Sequence, residues 1–207
     1  MDAMRVSALR DRLAGTGWLE AVGGFAGSLR RSVERRGAGE LLLVGTEAYE
    51  PWHLAAHLEE EAAWSAVPRL APTLLRHRPS ADAPAHLAHG LRRLAEAGRG
   101  ATVLVVAPAA AGATLLERVQ DARRHGATVL ALDGAASAAP GGGGNPGDLG
   151  RLAHERLAVG TAAEEPFDLT QHLVSAAAGR PAGRRSALDR LAELAGRLTS
   201  APPLSRW

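Results

Sequence analysis

Lysine and cysteine are both missing from this chain, and each absence excludes something. Without cysteine there is no disulfide framework, no thiolate metal site and no cysteine nucleophile. Without lysine, all 24 basic residues are arginines, and with one tyrosine almost nothing titrates between histidine and arginine. The isoelectric point near 10.2 therefore reports a missing buffer, since the formal net charge is only +2. Aromatic residues make up 3% of the chain, which leaves little to stack on bases, and nucleic acid is not an expected partner. Long apolar runs are missing too. Ala101 to Leu116 is the longest uncharged stretch, but it contains Pro108 and Gly112 and is too short to span a bilayer. The opening MDAMRVSALRDR has no apolar segment of the kind a secretory signal needs. A cytoplasmic protein with no membrane partner is expected.

What is present points to one globular domain. The length of 207 residues, with 46% apolar and 22% charged residues, suits a single core and excludes wholesale disorder. Residues 1–36 read as an N-terminal helical segment, broken near Gly15–Gly17 and Gly23–Gly24, residues 37–180 as an α/β core, and 181–207 as a basic C-terminal helix and tail. Residues 180–207 carry six arginines against two acids, whereas residues 41–179 carry eleven against fifteen. An arginine-rich tail of this kind reads as a solvated helix, with its last helix over Arg184–Leu198.

An internal echo organises the middle of the chain. Gly100-Ala-Thr-Val-Leu104 recurs as Gly126-Ala-Thr-Val-Leu130, an offset of 26 residues, which suits one strand, one crossover helix and two short turns. Val103–Ala107 and Val129–Leu132 are short, apolar and unalternated, the pattern of strands buried on both faces of a parallel sheet. Leu41–Val44 has the same character, Arg156–Val159 is a weaker strand, and Val67–Leu75, interrupted by Pro68 and Pro72, holds a short second strand. Helical patterns lie between them at Trp52–Ser65, Ala85–Ala97, Thr114–His125 and Asp168–Ala178. The alternation predicts a three-layer α/β/α fold: a parallel, roughly five-stranded, doubly wound sheet with flanking N- and C-terminal helices. Ligands of such sheets bind beyond the carboxyl ends of the strands. That places Gly45–Pro51, Pro108–Thr114 and the glycine-rich Asp133–Gly147 at the expected site.

Two of these segments carry a resemblance. LLLVGTEAYEPWHLAAHLEEEA, residues 41–62, resembles the strand, G-x-G-x-S turn and helix that open a sugar-isomerase (SIS) domain. VLVVAPAAAGATLLERVQDARRHGATVLALDG, residues 103–134, is similar to the family's strand, S-x-S-G-x-T turn, helix and next strand, and residues 166–179 to its closing helix. The resemblance implies a phosphosugar-binding fold that pairs as a homodimer. It also implies which residues line the ligand: Gly45, Thr46, Glu47 and Tyr49 from the first turn, and Ala109, Ala111, Gly112 and Thr114 from the second. The departures matter. Glu47 stands for the second glycine, Tyr49 for the serine, and Ala109 and Ala111 for the two serines of the second motif. A hydrogen bond to a charged group contributes roughly 1.5–3 kcal/mol. Losing three hydroxyls and adding a carboxylate therefore weakens the phosphate grip by on the order of a thousandfold or more. What results is a divergent, degenerate module that binds a sugar-like metabolite or a protein partner. An active phosphosugar isomerase or aldolase-like enzyme and a structural subunit with a closed pocket are the alternatives.

An enzyme on this scaffold needs a base near the substrate. His53 and Glu165 are the candidates, with Glu47 a third. His53 and His57, four apart on one helix, are spaced to share a metal, but no third ligand is fixed by spacing and no metal is expected. Gly15-Thr16-Gly17 follows a helical pattern and GGGGNPG lacks a lysine, so neither is a nucleotide loop and no cofactor is expected. Leu9, Leu13, Trp18, Leu19, Val22, Phe25 and Leu29 form an apolar set on the N-terminal segment, to be packed on its own domain or on a second copy.

Overall fold

The computed structural model describes residues 17–84, 88–134, 148–159 and 167–179. Five parallel strands, β1 (Leu41–Val44), β2 (Pro72–Leu75), β3 (Thr102–Ala107), β4 (Thr128–Gly134) and β5 (Glu155–Val159), form one sheet in the order β2-β1-β3-β4-β5. The helices are α1 (Trp18–Glu34), α2 (Trp52–Trp64), α3 (Ala113–Arg124), the short α4 (Asp148–Leu152) and α5 (Phe167–Ala178), with 3₁₀ turns at Pro68–Leu70 and Leu91–Glu96.

Alternate side chains of the strands feed two separate cores, because successive residues of a strand point to opposite faces. Leu41, Leu43, Leu104, Val106, Leu130, Leu132, Leu157 and Val159 pack with α1, α2 and α5. Leu42, Val44, Val103, Val105, Ala107, Val129 and Ala131 pack on the other face with α3, Leu149 of α4 and Leu94 of a 3₁₀ turn. This is the expected three-layer arrangement. The sequence echo becomes a physical register: Thr102 lies beside Thr128, Val103 beside Val129 and Leu104 beside Leu130. Gly100 and Gly126, which open the two copies, have φ of 102° and 95°, a region L side chains rarely adopt.

Two expectations are corrected. Helix α1 runs unbroken through Gly23 and Gly24. A glycine costs a helix about 1 kcal/mol relative to alanine, but Leu19, Val22, Phe25, Ala26, Leu29 and Val33 are all buried along α1, and that burial outweighs it. Of the helix expected over Ala85–Ala97, the described residues from 88 onward hold only the 3₁₀ turn Leu91–Glu96, and residues 85–87 lie outside the described residues. Gly90 is extended and bridges to Arg76, whose N–H donates to the His89 carbonyl, so pairing beyond β2 takes this backbone away from a helix. The second strand of the Val67–Leu75 region is β2, an edge strand whose first residue is Pro72, a position where no ladder donor is needed. Val22, Phe25 and Leu29 of the apolar N-terminal set are spent in the chain's own core, and Leu19 is buried beside them on α1. Leu9, Leu13, loop 135–147, Glu165 and the helix expected at Arg184–Leu198 lie outside the described residues.

Leu104, fully buried in the central strand, should tolerate truncation badly. Leu104→Ala is expected to cost about 2–5 kcal/mol in urea unfolding. Trp64→Ala, at a side chain 73% exposed, should stay within about 0.5 kcal/mol.

Candidate functional site

The strand order reverses next to β1: the chain runs from β1 out to β2, then crosses back to β3 on the other side. Loops beyond the carboxyl ends of these strands therefore border a crevice. The loop after β1 is held very tightly. A Cβ on Gly45 would stand 1.8 Å from the Tyr49 carbonyl oxygen and 2.7 Å from Cδ of Pro51, so only glycine fits. Thr46 and Tyr49 form an antiparallel bridge, with the Tyr49 N–H donating to the Thr46 carbonyl at 3.1 Å. Pro51 then leads into α2 at Trp52.

Beside this loop lies a cleft of about 340 Å³, lined by Gly45, Thr46, Glu47, Tyr49 and Glu50 from the loop after β1, by Leu75 at the end of β2 and by Arg76, His77 and Arg78 just beyond it. Every charged group on it has a partner of opposite sign. Arg76 pairs with Glu50 at 2.8 Å, and the exposed Arg78 pairs with Glu47. The His77 ring nitrogen Nε2 lies 3.0 Å from the Gly45 carbonyl oxygen, tying the end of β2 to the glycine turn. Two arginines and a histidine thus reach a site whose own motif supplies none. The signal for them is the run Arg76-His77-Arg78 directly after an apolar strand. It was missed because the prolines in Val67–Leu75 left no defined carboxyl end from which to count.

Tyr49 is half-buried and points its hydroxyl to α5. It donates to the Asp168 carboxylate at 3.1 Å and accepts from the Gln171 amide at 2.6 Å, while its ring meets Phe167 edge-on at 6.0 Å. Burial raises the phenol above its ordinary pKa, and the neighbouring Asp168 charge adds to this. Tyr49, where the resemblance implies a serine, is thus a strut between loop and helix.

The structure brings Gly45, Thr46, Glu47 and Tyr49 together in one cleft, and Ala109, Ala111, Gly112 and Thr114 do not line it. Ala109, Gly112 and Thr114 are exposed at the turn after β3, and Ala111 is 5% exposed, packed into the α3 core. Gly112 precedes α3, its carbonyl accepting from the N–H groups of Leu115 and Leu116. His53 sits on the exposed side of α2 with its ring 3.5 Å from that of Trp52, away from the cleft's lining. His57 pairs instead with His172 of α5, Nε2 to Nδ1 at 3.2 Å, with Glu60 3.7 Å from its other nitrogen. Nε2 of His172 is buried and makes no hydrogen bond among the described residues.

No family model matches the chain, and no curated protein matches it. Among solved structures, it is similar to a candidate phosphosugar isomerase of Silicibacter pomeroyi DSS-3, with a TM-score of 0.50 and 16% identity over 95% of this chain and 52% of that one. It also matches a candidate sugar-binding protein of Salmonella typhimurium LT2 (TM-score 0.48, 16% identity, 88% and 53% covered). A third match is NanR of Vibrio vulnificus, solved in complex with ManNAc-6P (TM-score 0.40, 14% identity, 93% and 61% covered). The chain spans about half the length of the first two. The likeness to the isomerase is one of fold: an α/β/α domain on a parallel sheet. No helix among the described residues is long and apolar enough to cross a membrane.

Two predictions follow from this geometry. Gly45→Ala should destabilise the domain by on the order of 3 kcal/mol, because the added methyl overlaps a backbone carbonyl; a thermal melt unchanged from the parent would contradict the turn described. The second concerns His172, whose pKa is lowered, first by burial and then by His57. A depressed folded pKa means stability that is complete above the ordinary value of about 6.5 and is lost as pH falls through it. Chemical denaturation at pH 7.5 and 5.5 should show that loss, with a slope from this group of at most about 1.4 kcal/mol per pH unit. His172→Gln should flatten the dependence.

Proposed function

We propose that this chain is a non-catalytic, SIS-like binding module for a small sugar-like metabolite that carries an anionic group, and that it acts in regulation or assembly. The observation that carries the reading is the open cleft at the carboxyl ends of β1 and β2, where Arg76 and Arg78 stand opposite Gly45 and Thr46. An open cleft favours ligand binding over a closed, structural role. Anionic ligands suit it because arginine forks match carboxylate and phosphate oxygens, and such charged hydrogen bonds are the strong ones. The arginines offset the hydroxyls missing at Tyr49, Ala109 and Ala111, though a ligand must exchange for Glu50 and Glu47 to engage them. Two arrangements speak against catalysis. Tyr49 has both its hydroxyl hydrogen bonds committed to α5, and His53 stacks on Trp52 outside the cleft lining. The fold shared with a candidate phosphosugar isomerase agrees with a ligand of sugar-phosphate type.

Thermal-shift measurements with hexose and pentose phosphates, and inorganic phosphate for comparison, test this. At a hundred times Kd the ligand stabilises by about 2.7 kcal/mol, a gain of several degrees for a domain of this size. Arg76→Ala should lower affinity by roughly 10- to 150-fold, the equivalent of one charged hydrogen bond of about 1.5–3 kcal/mol. A panel in which no compound moves the melt would overturn the reading. Turnover of any sugar phosphate to its isomer would replace it with the enzymatic alternative.

A further inference from the structure

We propose that His77 is a specificity-determining residue of the cleft: its Nδ1 accepts a hydrogen bond from a ligand hydroxyl next to the anionic group held by the arginines. The inference rests on the reading of the cleft as a ligand site. A carbonyl oxygen can only accept, so the 3.0 Å contact between Nε2 and the Gly45 oxygen requires the proton on Nε2. Nδ1 of the neutral ring is then a bare acceptor. His77 lines the cleft, and with Nε2 committed, Nδ1 is the polar atom of the ring left for a ligand. Its flanking neighbours Arg76 and Arg78 are donors only, and Glu50 and Glu47 hold those arginines until an anion displaces them. Once an anion has taken the arginines, Glu50 and Glu47 are displaced from them, and Nδ1 of His77 is the acceptor whose ring is still anchored to the glycine turn, fit to tell a hydroxyl donor from a substituent unable to donate. The acceptor is also well placed in advance. The carbonyl that anchors it belongs to a turn that admits no side chain at Gly45 and is bridged from Thr46 to Tyr49. A group held in its binding geometry before the ligand arrives loses little freedom on binding.

The test is calorimetry of the wild type, His77→Gln and His77→Asn with glucose 6-phosphate and its analogues bearing fluorine for hydroxyl at one position each. Fluorine cannot donate. At one position the substitution should lower wild-type affinity by about 3- to 10-fold, the equivalent of one neutral hydrogen bond. His77→Gln keeps a donor for the Gly45 carbonyl but has no acceptor where Nδ1 stood, so that penalty should vanish while the melt is unchanged. His77→Asn places an amide near the Nδ1 position, so it should retain the penalty and melt lower. Nitrogen NMR of the free protein gives a ligand-independent reading, in which Nε2 of His77 carries the proton. A protonated Nδ1 with bare Nε2 overturns the inference. So does binding that is equally sensitive to fluorine in wild type and His77→Gln, or sensitive at no position, and in those cases the cleft remains a ligand site. Failure of every sugar phosphate to bind the wild type overturns both the ligand reading and this assignment.

Discussion

Every side chain of β3 is buried, and the remaining architecture follows from that one constraint. A strand with no solvated face can sit only in the middle of a sheet with a helical layer on each side. Its neighbours must then be strands that can also be covered twice. β1 and β4 meet this requirement almost completely, which is why the two GATVL copies lie side by side and why the edges fall to β2 and β5. On β5 the alternation returns: Leu157 and Val159 face inward, and Arg156 reaches the Asp133 carboxylate, 2% exposed, at 2.8 Å.

The same sheet decides where chemistry can happen. Parallel strands all end on one edge, so the turn after β1 and the turn after β2 are neighbours although 30 residues separate Gly45 from Leu75. The tight Gly45 turn brings its own carbonyls to the cleft, and β2 brings cationic side chains to meet them. Charge on this cleft is balanced internally, two arginines against two glutamates, so the proposed selectivity for an anion would come from exchange of partners more than from a bare positive field.

Much of the fold was legible because its signals are local and redundant. Four apolar strands, a repeat at a crossover's length and helices between them point to one class of architecture, and β1, β3, β4 and β5 stand within a few residues of where they were expected. The misreadings have a common origin in packing that a local pattern does not contain. Gly23 and Gly24 lower helix propensity, but the buried stripe on either side of them overrides it. The segment before Leu91 has a helical pattern, but its backbone is claimed by Arg76, more than a dozen residues earlier. The candidate site was legible only on the β1 side. Counting from the Gly45 motif identified the turn, whereas Arg76, His77 and Arg78 belong to it through a parallel pairing that prolines obscured. Tyr49 could be read as a lost serine, but its role as a strut to Asp168 and Gln171 depends on a contact made across the sheet's face.

That strut bears on the order in which the molecule matures. Tyr49 is separated by 119 residues from Asp168 and by 122 from Gln171. The sheet can assemble by joining neighbours in turn, β1 with β2 and β3 with β4, over short chain distances. The turn beside the cleft cannot acquire its final support until α5 has been synthesised and has docked, because that contact closes one of the longest loops in the domain. During synthesis the residues that line the cleft are therefore in place well before they are rigid. The final geometry of the Gly45 turn is then among the last properties the chain acquires.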